Sequence, residues 1–171
     1  SGFVYDSYSS RISKGTHAAV NRLEVFLRKA SRNYKIKVFG LKCDIKKFFD
    51  SINHKVLFDL VKKRISDGDV LWLIDLIIKS FQSDMGRGIP LGNVTSQLFA
   101  NIYLNELDQF MERTLKVKFY LRYCDDFVII SESNSFEFYI NQIKKFLAQE
   151  LKLQLHPEKI IKRSYHQGID F

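Results

Sequence analysis

Residues 120–131 read Y-L-R-Y-C-D-D-F-V-I-I-S. Two adjacent carboxylates, Asp125 and Asp126, sit between short β-branched and aromatic runs at 119–123 and 127–130. That pattern predicts a β-hairpin with acid at its tip. Side chains alternate faces along a strand, so the two acids share a site only if the turn bends them together; Asp125 is expected to be the better ligand. Neighbouring ionised carboxylates repel and are commonly held by a cation, and hard oxygen donors suit Mg²⁺ or Mn²⁺. A solvated Asp-Asp turn is the competing interpretation of these residues taken alone.

A second acid ends a second apolar run. Residues 37–44 read K-V-F-G-L-K-C-D, and I-K-K-F-F-D follows at 45–50. This predicts a strand ending in Asp44 and a short helix after it. If that strand lies beside the hairpin, Asp44 and Asp125 meet at one edge of a sheet. Two cations about 3.5–4 Å apart at such an edge perform phosphoryl transfer, one activating the attacking hydroxyl and one holding the leaving phosphates.

D-I-K-K-F-F-D at 44–50, G-I-P-L-G-N-V-T-S-Q at 88–97 and Y-C-D-D at 123–126, in this order, resemble the three central motifs of reverse transcriptases. L-H-P-E-K at 155–159 and Q-G-I-D-F at 167–171 resemble the two that follow. One short motif carries little weight, whereas five in order cover residues 11–171. The resemblance implies a right-hand polymerase palm of the α+β class, an antiparallel sheet with helices on one face. In the family layout 37–52 and 93–171 are palm and 1–36 and 53–92 are part of the fingers, with no thumb following. The implied activity is RNA-directed DNA polymerisation, in which a primer 3′-hydroxyl attacks the α-phosphate of a deoxynucleotide. Two Mg²⁺ ions (or Mn²⁺) would be held by Asp44, Asp125 and the Ile45 carbonyl, with Asp126 completing the site. The implied partners are an RNA template, a DNA or RNA primer, deoxynucleoside triphosphate and an accessory protein of the retroelement, with no membrane.

The same resemblance carries over further roles. Arg11 and Lys14 would contact the triphosphate, or are simply exposed loop charges. Phe49 would lie under the sugar and exclude a 2′-hydroxyl, unless Phe48 and Phe49 are both core side chains. Leu91, Gly92 and Gln97 would border the nucleotide, and Lys159 would protonate the leaving pyrophosphate or be a surface lysine. Gly88, Pro90, Ser96, Tyr123 and Cys124 complete the motifs. Many reverse transcriptases have Gln where Leu91 stands and Pro where Gln97 stands; the form L-G-x-x-x-S-Q resembles the enzymes of diversity-generating retroelements, which copy a template-repeat RNA with errors opposite adenine. Group II intron, retron and abortive-infection types are the alternatives. An RNA-dependent RNA polymerase or a nucleotide cyclase would share the acids but not Phe49. A palm-fold RNA-binding module without catalysis is the non-enzyme alternative, and a piece lacking a thumb is expected to turn over little by itself.

Composition narrows the class. A chain of 171 residues with 46% hydrophobic side chains can bury one core, which excludes a disordered tail. No apolar run reaches the roughly 18–20 residues of a membrane span and the first residues lack a signal-peptide pattern, so a cytoplasmic protein is expected. Cys43 and Cys124 each precede an acid without forming a zinc motif, and both thiols are expected to point away from the carboxylates. The net charge of +8 is uneven: residues 1–64 hold 15 Lys/Arg against 5 Asp/Glu, and residues 65–171 hold 12 against 14. The basic part would face nucleic acid or triphosphate.

Along the chain, residues 3–15 are expected to form a loop or short hairpin. A helix opens at Thr16 with Val20, Leu23, Phe26 and Leu27 as its buried stripe, and another opens at Ser51 or Asn53 and runs through Val61. An apolar helix follows at 70–81 with Trp72 packed. Gly86, Gly88, Pro90 and Gly92 mark a loop shaped for close approach to a ligand. Thr95 or Asn93 opens a long helix whose Phe99, Ile102, Tyr103, Leu107, Phe110 and Met111 face the sheet. Ser96 and Gln97 lie in its first turn, where free N–H groups favour phosphate or base contacts. Residues 133–150 form an amphipathic helix, a strand follows at 151–155, and Pro157 makes a turn.

Overall fold

The computed structural model describes residues 2–81 and 83–168. Two apolar runs pair as the sequence predicts: β2 (Phe39–Asp44) lies antiparallel to β4 (Asp126–Ser131), and β4 forms a hairpin with β3 (Tyr120–Tyr123). Around this centre the sheet order is β1-β3-β4-β2-β5, with β1 at Ser7–Tyr8 and β5 at Ile161–Ser164. β5 is antiparallel to β2, whereas the two-residue β1 runs parallel to β3. Residues 3–15 thus hold a short strand and loop instead of a hairpin, because the backbone of residues 6–8 completes the open edge of β3.

The pleat divides the sheet residues between two apolar layers. Leu41, Cys43, Tyr120, Phe127 and Ile129 pack with α3 (His54–Lys62), α5 (Val94–Gln109) and α6 (Glu137–Gln149), the expected helical layer. Leu121, Val128 and Ile130 face the other way, and α1 (Thr16–Ala30) covers them with Ala19, Leu23, Phe26 and Ala30. Leu23 and Phe26 are buried as predicted and Leu27 is partly buried, whereas Val20 is exposed and Ala19 takes its place, where a small side chain lets the helix approach the strands.

Caps set the helix starts. The Asn53 carboxamide oxygen accepts from the Val56 amide at 3.0 Å and the Asp67 carboxylate from the Val70 amide at 2.9 Å, opening α3 and α4 (Gly68–Lys79). A four-residue α2 (Phe48–Ser51) follows β2. Trp72, expected to be packed, is 65% exposed: it lies on the outer face of α4 with Asp75 and Lys79, while Ile78 is buried and Leu71, Ile74 and Ile77 pack partly against the core. The strand expected at 151–155 is reduced to one bridge, Leu155 with Ile45, since the pairing edge of β2 is taken by β5. Of the last motif, 167–171, residues 169–171 lie outside the described residues.

Candidate active site

The register of β2 on β4 makes Asp44 and Asp126 direct cross-strand partners, so both project from one face of the sheet at its end. Asp125 lies in the hairpin turn beside them, half-buried. The turn depends on Cys124, a non-glycine residue with φ of 54°. Its amide donates to the Tyr8 carbonyl at 3.2 Å, so the short strand β1 also holds the tip of the hairpin.

Each paired carboxylate has an ammonium beside it. Lys159 Nζ donates to Asp44 Oδ2 at 2.8 Å, and Lys42 Nζ lies 3.6 Å from Asp126 Oδ2. Burial raises the Asp126 pKa above the ordinary carboxylate value; Lys42 opposes that, and the charges of Asp44 and Asp125 add to it. The bond to Asp44 holds Lys159 protonated, its pKa raised. Asp126 Oδ1 is buried without a hydrogen-bond partner. A buried, unpartnered carboxylate oxygen among further carboxylates suits a divalent cation. Among the described residues, no three acidic, His or Cys side chains are already gathered into a closed coordination set.

The backbone hydrogen bonds on either side of Ile45 set the direction of its carbonyl. The His156 amide donates to the Asp44 carbonyl at 2.8 Å and the Lys46 amide to the Gln154 carbonyl at 2.9 Å, so both groups face the 154–156 segment. Carbonyls alternate in direction along an extended chain, which turns that of Ile45 to the side of the hairpin. The expected direction of the two thiols holds for Cys43 alone. It lies in the core, pushed up to about 12 by burial, while the Cys124 thiol is within hydrogen-bonding reach of Asp125 and is pushed up to about 11. The tight turn leaves Cys124 no route into the core.

The residues expected to meet a nucleotide are differently disposed. Phe48 is a core side chain and Phe49 is half-buried, edge-on to it with centroids 5.2 Å apart. Leu91 is 73% exposed and Gln97 is exposed, whereas Ser96 is buried, so of Ser96 and Gln97 only Gln97 can reach a ligand. Gly88 has φ of 95° and donates to the Ile52 carbonyl while its own carbonyl accepts from His54 Nε2 at 2.7 Å. The preceding loop is thereby fastened to the start of α3, with Pro90, Leu91 and Gly92 beyond it. Arg11 and Lys14 are engaged internally: Arg11 donates to the Val4 and Ser7 carbonyls and to Ser7 Oγ, and Lys14 donates to the Tyr5 carbonyl at 2.7 Å. Tyr123 pairs across the hairpin with Asp126, and its hydroxyl is 2.8 Å from Thr16 Oγ1.

Lys42 was missed by sequence reading. The only available signal was its position two residues before Asp44, which puts it on the same face. Also unforeseen is an open cleft of about 370 Å³ bordered by Lys46, Lys47, Arg87 and Lys152, none of which forms an ion pair among the described residues.

Residues 3–171 match a family model described as reverse transcriptase (RNA-dependent DNA polymerase). The chain is 28% identical to protein YkfC of Escherichia coli K12 over 192 residues, covering 90% of this chain and 50% of that protein. It is 39% identical over 82 residues to the group II intron-encoded protein LtrA of Lactococcus lactis, covering 44% and 14% respectively. Among solved structures, telomerase from Candida tropicalis in complex with a fragment of telomeric RNA superposes with a TM-score of 0.70 at 16% identity. That match covers 97% of this chain and 32% of the telomerase, and the likeness is one of fold.

Proposed function

The chain belongs to the reverse transcriptase family, and we propose that it is the fingers and palm part of an RNA-directed DNA polymerase, with 37–52 and 93–171 as palm. The observation that carries the reading is the cross-strand pairing of Asp44 with Asp126 beside Asp125, at a sheet end where one buried carboxylate oxygen has no partner. Asp44, Asp125, Asp126 and the Ile45 carbonyl would hold two Mg²⁺ ions. When bound, these supply Lewis-acid activation of the primer hydroxyl and neutralise charge on the phosphates. Lys159, kept protonated by Asp44, would give a proton to the leaving pyrophosphate. Phe49, half-exposed beyond the buried Phe48, is the candidate sugar gate. Arg11 and Lys14 reach a triphosphate only by giving up their present carbonyl partners.

Leu91 and Gln97 support the diversity-generating retroelement type, since Leu91 presents an apolar side chain to solvent where a glutamine would offer hydrogen bonds. The stretch of 39% identity to LtrA favours a second reading, the intron-encoded type. YkfC and LtrA extend well beyond the part matched, and the activity of a whole protein belongs to this proposal.

Extension of a DNA primer on an RNA template by the full-length protein with Mg²⁺ tests the reading. Deoxynucleotide-dependent extension that Asp125→Asn abolishes is expected. RNA binding without extension, unchanged in Asp125→Asn, would leave the non-catalytic RNA-binding module. Misincorporation opposite adenine that Leu91→Gln reduces is the result expected of the retroelement type.

A further inference from the structure

Arg122 stands in the middle of an apolar strand, where its pattern calls for a core residue. Its side chain is 1% exposed and that of its partner Asp108, on α5, is 0% exposed. The pair is bidentate: Nε donates to Asp108 Oδ1 at 2.8 Å and Nη2 to Oδ2 at 2.7 Å. The Tyr120 hydroxyl donates to the same Oδ1 at 2.7 Å. That leaves Nη1, and it donates to the carbonyl of Cys124 at 2.7 Å.

Two facts suggest what this arrangement is for. A buried ion pair is not by itself a good stabiliser, because desolvating both charges offsets their attraction, and apolar side chains of similar volume commonly serve a fold as well. What an apolar pair cannot supply is a directional donor. The carbonyl that receives this donor belongs to the one residue of the turn held in the left-handed region, φ 54°, a conformation that a cysteine leaves unless something holds it. The same residue's amide is taken by Tyr8. The turn is therefore gripped on its N–H by β1 and on its C=O by α5 through Arg122, and Asp125 and Asp126 are the next two residues.

We propose that Arg122, anchored by Asp108, is a positioning residue that fixes the Cys124 peptide and thereby the direction of the Asp125 and Asp126 carboxylates. The inference rests on the reading of those acids as the cation-holding groups. Asn101 extends the network: its Oδ1 lies 3.4 Å from Nη1 and Nη2, and its Nδ2 donates to the Ser9 carbonyl at 3.2 Å. The long helix thus holds the hairpin tip and the N-terminal loop through one cluster of side chains.

The test replaces the ion pair by an apolar pair of similar volume, Arg122→Met with Asp108→Leu, in the full-length protein. Melting temperature, Mn²⁺ affinity followed by electron paramagnetic resonance, and exchange of the Cys124 and Asp125 amides are measured beside primer extension. The expected result is a cooperative melting transition, lowered only by the Tyr120 hydroxyl that loses its acceptor, Mn²⁺ binding weakened at least tenfold, faster exchange of the two amides, and a fall in kcat with little change in the KM for deoxynucleotide. Parent-like Mn²⁺ affinity and kcat in the folded double variant would overturn the inference. It would leave the polymerase reading standing so long as Asp125→Asn still abolishes extension. If Asp125→Asn itself changes neither Mn²⁺ binding nor extension, the reading beneath fails first, and the inference with it. Should the apolar pair not fold, Arg122→Lys decides by the same measurements, because one ammonium can serve Asp108 or the Cys124 carbonyl but cannot reproduce the fork. Weakened Mn²⁺ binding in that folded variant supports the proposal, and parent-like binding overturns it.

Discussion

Cys43 lies within the sheet core with its thiol pushed up to about 12, and this gives the protein a specific weakness to alkali. Above the ordinary value of 9.0 the thiol of an unfolded chain ionises while the folded one does not. The folded state then carries more protons, so stability is intact below about pH 9 and is lost as pH rises toward 12. Cys124, pushed up to about 11, and Tyr103, raised to about 12 by burial, act in the same direction. Urea midpoints should fall between pH 9 and 11, each group adding about 1.4 kcal/mol per pH unit inside its window. Cys43→Ala should flatten that slope, and an unchanged slope would mean that the thiol ionises freely in the fold. Gly88 offers a second test. A Cβ there would sit 2.5 Å from Ser83 Oγ and 2.9 Å from the Ser83 amide, at φ 95°. Gly88→Ala should cost about 2 kcal/mol or more in denaturant unfolding, whereas Gly86→Ala, with open space around it, should cost only the left-handed term of about 1 kcal/mol.

Helix α4 shows how orientation can hang on a few polar residues in an apolar run. Its capping Asp67 and apolar content predict a helix, and Asp75 and Lys79, at i+3 and i+7 from Trp72, put the tryptophan on the outer face, a signal that its size and hydrophobicity outweigh in the expectation of a packed side chain. Trp72→Ala should therefore change stability by less than about 0.5 kcal/mol, while Ile78→Ala, at the one buried position, should lose about 2–4 kcal/mol; urea titration of the two variants reads the difference. β2 and the β3–β4 hairpin were readable because apolar runs ended in acids. β1 and β5 were not: the first is two residues held by backbone hydrogen bonds, and the second carries Lys162 and Arg163 as an exposed edge strand, where polar residues are expected. The same limit applies to the site. Asp44, Asp125 and Asp126 could be named from their strands, yet Lys42 and Arg122 acquire meaning only once register and helix packing place Asp126 and Asp108 against them. Arg11 and Lys14 show the converse, since a charge pattern does not reveal that carbonyls nearby already occupy the donors.

Across the whole molecule the surplus of positive charge lies in residues 1–64, and Lys46 and Lys47, which form no ion pair among the described residues, carry part of it to the basic cleft. Affinity for single-stranded RNA should fall steeply from about 50 to about 200 mM salt, and the Lys46→Glu, Lys47→Glu double variant should bind more weakly with a log–log slope shallower by about 1–2. A slope identical to that of the parent in an anisotropy titration would place the RNA elsewhere. The order of the sheet also bears on how the protein is made. Lys159 and Asp44 touch although 115 positions separate them, and β2 finds both of its neighbours, β4 and β5, far along the chain. Loop closure over such distances is slow, while the β3–β4 hairpin is local and quick to form. During synthesis β2 must therefore wait with both edges open until the hairpin emerges, so the half of the site made first is completed last, and the nascent chain is most exposed to mispairing in that interval.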